Sequence, residues 1–354
     1  MKPDGQKTMS ETLGHWRPRF WVSGIDPNDL EILLSSITDW NDWYIAWAQM
    51  GKAHEELGDE AVANGHIVTA AEAYVRAAMY YHFGQFMFFH QPARKEEGVR
   101  RRVELYRKAA PYLSPPATEV QIPFEGGFIP GYLRLANSGE QGPCVIMLPG
   151  ADSAKEQLYA FENVLLARGL STLGIDGPGQ GITRYTMSMR PDYDKAVTAA
   201  VDFLSGVPSV DSSRLAVCGT SFGGHLAVRS AAAETRLKAS VTVGGFYDLS
   251  GWEGFSDLMK NNLTFLFGKS DWSEAAEFAK GFTLEGLVGR VKCPLLVIHG
   301  KKDRIFPTEG AYRIAQEATS PVTLKVFEEG NHVCNNIPYR YRPLVADWIK
   351  DTLK

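Results

Sequence analysis

No run of apolar residues in this 354-residue chain reaches the roughly 20 positions needed to cross a bilayer, and no block of lysine and arginine offers a footprint for a phosphate backbone. The 37 basic and 41 acidic residues nearly cancel, to a net charge of −4. Neither membrane insertion nor nucleic-acid binding is expected. Cysteine is scarce: Cys144, Cys218, Cys293 and Cys334 stand far apart with no C-x-x-C pair, which argues for reduced, structural thiols. No cluster of His, Cys and carboxylates has metal-ligand spacing, and no glycine-rich loop matches a phosphate cradle, so no metal or cofactor is expected. Met1 to His15 is polar and lacks the apolar core of a signal peptide, from which a cytoplasmic protein is expected.

The composition, 44% hydrophobic and 22% charged, is that of a globular protein, and the length is generous for one core. From about Asp26 to Tyr112 the pattern is helical, with helices expected over Asp42 to Leu57, Ala61 to Phe88 and Lys95 to Ala109. The stretch from Tyr80 to His90 gathers Tyr80, Tyr81, His82, Phe83, Phe86, Met87, Phe88 and Phe89. Two readings fit it: a helix buried all round, or a helix end lining an aromatic pocket. Pro111, Pro115 and Pro116 then mark a boundary, giving a helical domain over 1–115 and a second domain over 116–354.

Beyond the boundary, short β-branched runs alternate with helices. Glu119 to Leu135 reads as a hairpin turned at Gly126-Gly127, and strands are expected at Cys144–Leu148, Ser171–Ile175, Leu215–Cys218, Ala239–Val243, Pro294–Ile298 and Val322–Val326. Ser153 and Glu156 stand at capping-box spacing before an apolar helical pattern. Tyr193, Ala196, Val197, Ala200, Val201 and Leu204 form a single helical stripe. The whole is an α/β fold with a doubly wound, mainly parallel sheet, whose functional residues gather at the carboxyl ends of the strands.

At one such end lies Gly219-Thr220-Ser221-Phe222-Gly223, a strand, a tight turn and a helix around one serine, which is the pattern of a nucleophile elbow. A serine hydroxyl needs a base in hydrogen-bond reach and a third group to orient that base. Asp303, after the fifth expected strand of the parallel sheet, and His332, after the last, complete the chain order Ser, Asp, His. The Phe222 amide is expected to donate to an oxyanion, with a second amide from the loop after Leu148; Ala151 is the choice there, with Gly150 and Asp152 as competitors. Asp176-Gly177-Pro178-Gly179 reads as a structural turn, and His225 and His299 as structural histidines.

At these residues the chain resembles the α/β-hydrolase superfamily over roughly Thr118 to Lys354. The preceding helical segment, together with Leu148-Pro149-Gly150-Ala151-Asp152-Ser153-Ala154-Lys155-Glu156, is similar to the 2,6-dihydroxypseudooxynicotine hydrolase family, related to fungal heptaketide hydrolases of the yellowish-green type and to fermentation-respiration switch proteins. The resemblance implies a cofactor-free homodimer, a helical cap over the site, and hydrolysis of a carbon–carbon bond next to a ketone in an aromatic or polyketide-like small molecule. Such a reaction must protonate a departing carbanion, from His332 or from a carboxylic acid in a lid-like segment near 246–290, where Glu253 and Asp248 are candidates. Tyr81, His82, Phe246, Trp252 and Glu253 are the expected substrate contacts. A carboxylesterase or thioesterase, an acyltransferase, and a non-catalytic regulator with the same fold stay open as alternatives.

Overall fold

The computed structural model describes residues 5–86, 88–136 and 141–354. The chain divides into two compact units, Met1–Ala117 and Thr118–Lys354. No helix among the described residues is long and apolar enough to cross a membrane.

The first unit is helical: α1 (Gly5–Val22), α2 (Pro27–Ser36), α3 (Trp40–Ala63), α4 (Ile67–Gln85) and α5 (Pro92–Ala109). Asp39 and Asp42 close a capping box at the start of α3. The break expected before Ala61 does not occur. α3 runs on to Ala63 and the chain turns at Asn64 to His66, with Gly65 at a φ of +74°. Gly58, inside α3, lets α4 approach closely: a Cβ there would come within 2.7 Å of Tyr74 Cδ1. α1 occupies a stretch that carried no helical expectation. It brings the buried Phe20 against Phe83 and Trp47, at ring distances of 4.8 and 5.2 Å. Tyr80, Tyr81, His82, Phe83 and Phe86 are all buried, so the core reading accounts for the aromatic stretch within this unit; Met87 lies outside the described residues. α4 ends three residues before Phe88, where the buried Lys95 ammonium donates to the carbonyls of Gln85 (2.8 Å) and Phe86 (3.1 Å), a cation at the negative end of the helix.

The second unit is built on one eight-stranded sheet: β1 (Thr118–Phe124), β2 (Gly127–Arg134), β3 (Gly142–Leu148), β4 (Ser171–Ile175), β5 (Val210–Thr220), β6 (Leu237–Val243), β7 (Leu295–Gly300) and β8 (Val322–Phe327), in the order β1-β2-β4-β3-β5-β6-β7-β8. β1 and β2 form the expected hairpin, closed by Glu125 and Gly126 at positive φ, and β2 runs antiparallel to β4; every later pairing is parallel. The interspersed helices are α6 (Tyr159–Leu166), α7 (Asp194–Ser205), α8 (Phe222–Ala233), α9 (Asp257–Phe267), α10 (Trp272–Ala279), α11 (Glu309–Glu317) and α12 (Pro338–Thr352).

Strand periodicity divides the core in two. Cys144, Ile146 and Leu148 of β3, with Leu215 and Val217 of β5, join α7, α8 and α11 on one face. Val145, Met147, Ala216 and Cys218 join α6 and α12 on the other. These doubly covered parallel strands form the doubly wound α/β architecture that the alternating strand and helix pattern predicts. The capping box expected at Ser153 and Glu156 is not formed: Ser153 Oγ donates to Gln157 Oε1 at 2.5 Å, while the buried Glu156 carboxylate takes the Lys155 ammonium at 2.5 Å. A short 3-10 turn, Lys155–Leu158, precedes α6 instead.

Candidate active site

Ser221 sits where β5 ends and α8 begins, with φ of +55° and ψ of −121°. A serine pays a steric penalty for that conformation, and it persists because both flanks are tightly held. The Ser221 amide donates to Val243 O of β6 at 2.8 Å, and Gly224 N donates back to Ser221 O at 2.9 Å. Glycine is required at 223, where a Cβ would lie 2.6 Å from Pro149 O. The elbow therefore presents the hydroxyl above the strand ends and aims the first amides of α8, which have no intrahelical acceptor, at the space beside it.

His332 reaches that hydroxyl from the loop after β8. Its Nε2 lies 2.9 Å from Ser221 Oγ, and its Nδ1 lies 2.7 Å from Asp303 Oδ2. An ionised carboxylate only accepts, so Nδ1 carries the proton that points to Asp303 and Nε2 is left to accept from the serine. The loop is pinned by two asparagines: Asn331 N donates to Asn336 Oδ1 at 2.8 Å, and Asn336 Nδ2 to Glu329 O at 2.8 Å. Directly after His332, Val333 and Cys334 both take positive φ, +59° and +54°. The Cys334 thiol is buried, and burial pushes it up to about 12, so it stays protonated.

Asp303 follows β7, and its side chain is fully buried. Its Oδ1 accepts from the amides of Ile305 (2.8 Å) and Phe306 (3.0 Å), leaving Oδ2 for the histidine. Burial alone would raise its carboxyl, but electrostatic attraction to the His332 imidazole and the hydrogen bond from it, with help from His299 and the Phe306 amide, outweigh it and hold the group below the usual carboxylate range.

His299 was expected to be purely structural, and the structure gives it a more specific place. Its Nε2–H donates to Phe306 O at 2.9 Å and lies 3.4 Å from Asp303 Oδ2. Burial lowers its affinity for a proton against the opposing pull of Asp303, so a neutral imidazole closes the turn that carries the acid. The signal available in the sequence was its position at the end of β7, four residues before Asp303.

The expected oxyanion residues flank the serine on both sides. Phe222 opens α8. Ala151 lies in a turn closed by Ser153 N donating to Gly150 O at 3.2 Å, and a Cβ at Gly150 would come 3.6 Å from Ser221 Oγ. The expected substrate contacts fare less evenly. Phe246 is buried, stacked on His225 at 4.3 Å and packed on Phe222 and Phe306. It therefore backs Phe306, the ring that itself meets His332 edge-on at 5.7 Å. Trp252 is buried against Phe255. Tyr81 and His82 belong to α4 of the first unit, Tyr81 beneath the Arg101 guanidinium and His82 beside that of Arg102.

Glu253 and Asp248 depart from expectation as internal acids. The short 3-10 turn Trp252–Gly254 buries Trp252 and so turns the next residue outward; the Glu253 side chain is 92% exposed and pairs with Lys260. Asp248 folds back on its own turn, accepting from Ser250 N and Oγ at 2.9 and 2.5 Å.

A serine, imidazole and carboxylate in hydrogen-bonded series, beside helix-start amides, is an arrangement able to add an oxygen nucleophile to a carbonyl. A family model described as FrsA-like esterase matches residues 33–354. The chain belongs to the FrsA-like esterase family. Among the relatives of this FrsA-like chain, 2,6-dihydropseudooxynicotine hydrolase of Paenarthrobacter nicotinovorans is 34% identical over 313 residues, which cover 88% of this chain and 84% of that protein. The hydrolyase poxO of Penicillium oxalicum is 36% identical over 241 residues; the match takes in 64% of this chain and only 56% of the relative's length. The crystal structure of the 2,6-dihydroxy-pseudo-oxynicotine hydrolase superposes with a TM-score of 0.89 at 32% identity, covering 95% of both chains. The FrsA-like chain is thus an α/β-hydrolase, and an enzyme.

Proposed function

We propose that this enzyme is a serine hydrolase that cleaves a carbon–carbon bond next to a ketone in a small aromatic or polyketide-like molecule. The observation that carries the nucleophilic part is the unbroken series from Ser221 through His332 to Asp303, at 2.9 and 2.7 Å. The substrate class rests on similarity to a hydrolase named for 2,6-dihydropseudooxynicotine and to a fungal hydrolyase. In this reading Ser221 Oγ adds to the ketone while its proton passes to His332 Nε2, and the oxyanion is held by the amides of Phe222 and Ala151. Collapse of the adduct breaks the carbon–carbon bond. The departing carbanion takes the proton from the His332 imidazolium, because Glu253 faces solvent and Asp248 is engaged with Ser250, and an acyl-serine remains. Water activated by His332 then releases the acid and restores the serine. The assembly proposed with this reading is a cytoplasmic homodimer, each chain carrying its N-terminal helical domain.

One observation favours a second reading: the matching family is described as an esterase. With an ester or thioester the same steps end on an alkoxide or thiolate, and acyl transfer differs only in what attacks the acyl-serine.

The test is to give wild type and Ser221→Ala phenyl acetate, a phenyl thioester and 1-phenyl-1,3-butanedione while following products and enzyme mass. Diketone cleavage through a Ser221-dependent acyl adduct, with weak ester turnover, is the expected result. Fast ester turnover with an inert diketone moves the assignment to an esterase, and no Ser221-dependent adduct leaves a regulator.

A further inference from the structure

The turn after β4, Asp176-Gly177-Pro178-Gly179-Gln180-Gly181, reads from sequence as a structural element, yet its polar side chains are spent on one neighbour. Asp176 Oδ1 accepts from the Lys155 amide at 2.8 Å, and its Oδ2 from the Lys155 ammonium at 3.0 Å and the Ile182 amide at 3.2 Å. Gln180, fully buried, donates its amide N–H to Pro149 O. Its Oε1 is fixed as the acceptor by two donors, Tyr193 O–H and Gly177 N–H. Three residues past the turn, Arg184 Nη2 donates to Ala151 O at 2.9 Å.

The recipients are successive peptides of the loop after β3. Pro149 O is held by Gln180, Gly150 O by Ser153 N–H, and Ala151 O by Arg184, while Asp176 anchors the far end of the loop at Lys155. In a trans peptide the N–H points opposite to the C=O, so holding the Gly150 carbonyl inside the turn sends the Ala151 N–H out of it. Gly150 itself abuts Ser221. Burying the charges of Lys155, Glu156 and Asp176 carries a desolvation cost that an apolar filling of the same space would avoid, which points to geometry rather than stability as what the cluster supplies.

We propose that the Asp176–Arg184 segment is a positioning device for the oxyanion hole, in which Gln180 and Arg184 orient the loop peptides so that the Ala151 amide stands ready beside Ser221 before substrate arrives. The inference rests on the acyl-serine reading above and is indifferent to whether the bond cleaved is carbon–carbon or ester, since both pass through a tetrahedral oxyanion. Gln180 and Arg184 hydrogen-bond the Pro149 and Ala151 carbonyls. They act through two carbonyls, and a misplacement of about 1 Å at such a site is enough to cost about a hundredfold in rate.

The test compares Arg184→Ala, Arg184→Lys and Gln180→Met on whichever of phenyl acetate or 1-phenyl-1,3-butanedione wild type turns over, with an aryl trifluoromethyl ketone as a probe of the tetrahedral adduct and benzoate as a planar ligand. Expected are a fall in kcat of about tenfold or more for Arg184→Ala and Gln180→Met, with KM within about twofold. The inhibition constant of the ketone should rise by the factor that kcat/KM falls, with benzoate affinity and the pH profile unchanged and Arg184→Lys largely recovered. Unchanged kcat in Arg184→Ala, or a fall in kcat with the ketone bound as tightly as before, overturns the proposal. Should Gln180→Met fail to fold, the two Arg184 variants decide. If neither substrate is turned over but the ketone still forms a Ser221-dependent adduct, the proposed activity fails and the ketone affinities alone decide this inference; if no such adduct forms, both fall.

Discussion

His332 and His225 stand at opposite ends of one aromatic stack, through Phe306 and Phe246, and share almost nothing else. Both are buried. His332 has a carboxylate on one nitrogen and a hydroxyl on the other. His225 lies flat on Phe246, with Nδ1 3.3 Å from Phe246 O, and the nearest charge that matters is the Arg229 guanidinium. Burial and Arg229 together push it down to about 3. A histidine without an acid partner is packing; the same residue type 107 positions later, given Asp303, is in a position to move protons. The acid, more than the imidazole, is what distinguishes the two regions.

The largest effect should come from deleting the contrast at its active end. His332→Ala is expected to lower kcat by about 10⁴-fold or more, and the double variant with Ser221→Ala to be no worse than either alone, because residues acting as one unit do not add. Steady-state kinetics on a turned-over ester or diketone checks both. Asp303→Asn keeps the volume but lets Nδ1 lose its proton-accepting partner, so a fall of about 10³- to 10⁴-fold in kcat with little change in melting temperature is expected. Next comes His299→Asn, which frees the acid turn from Phe306 O; a loss near tenfold in kcat is expected, and an unchanged rate would return His299 to plain packing.

The smallest catalytic effect belongs to the other end. His225→Leu should leave kcat within about twofold, yet change the pH dependence of stability. The folded protein refuses a proton at His225 until pH about 3, whereas the unfolded chain takes one near pH 6.5. Between those values the unfolded state binds more protons, so stability falls as pH drops through that window and levels off below it. Thermal melts at steps from pH 7 to pH 4 should show a shallower decline in the leucine variant than in wild type.

The parts of this molecule that were legible in its sequence are those where one residue type is forced by its own backbone or chemistry. The elbow needs glycine beside Ser221 and a strand before it, and both stand in the sequence. Asp303 and His332 were readable because each follows an apolar strand at the expected end of the sheet. What stayed hidden depends on partners supplied from far away. Gly58 looked like a helix end, but it lies inside α3, where it lets Tyr74 of α4 approach closely. Glu253 looked like a candidate acid, and a single buried neighbour, Trp252, rotates it into water. Gln180 and Arg184 gave no signal because they work through backbone carbonyls, which no side-chain pattern records.

The hydrogen bond from Ser221 to His332 closes a loop of 111 residues, and β6, β7 and β8 all lie within it. During synthesis the elbow and its helix are therefore made well before the histidine that contacts Ser221. A ribosome-bound chain that has not yet emitted His332 lacks the imidazole partner of the Ser221 hydroxyl, even if β3, β4 and β5 have already paired. Nascent and prematurely terminated chains therefore lack the Ser221–His332 contact, which forms only as the closing strands of the sheet take their places.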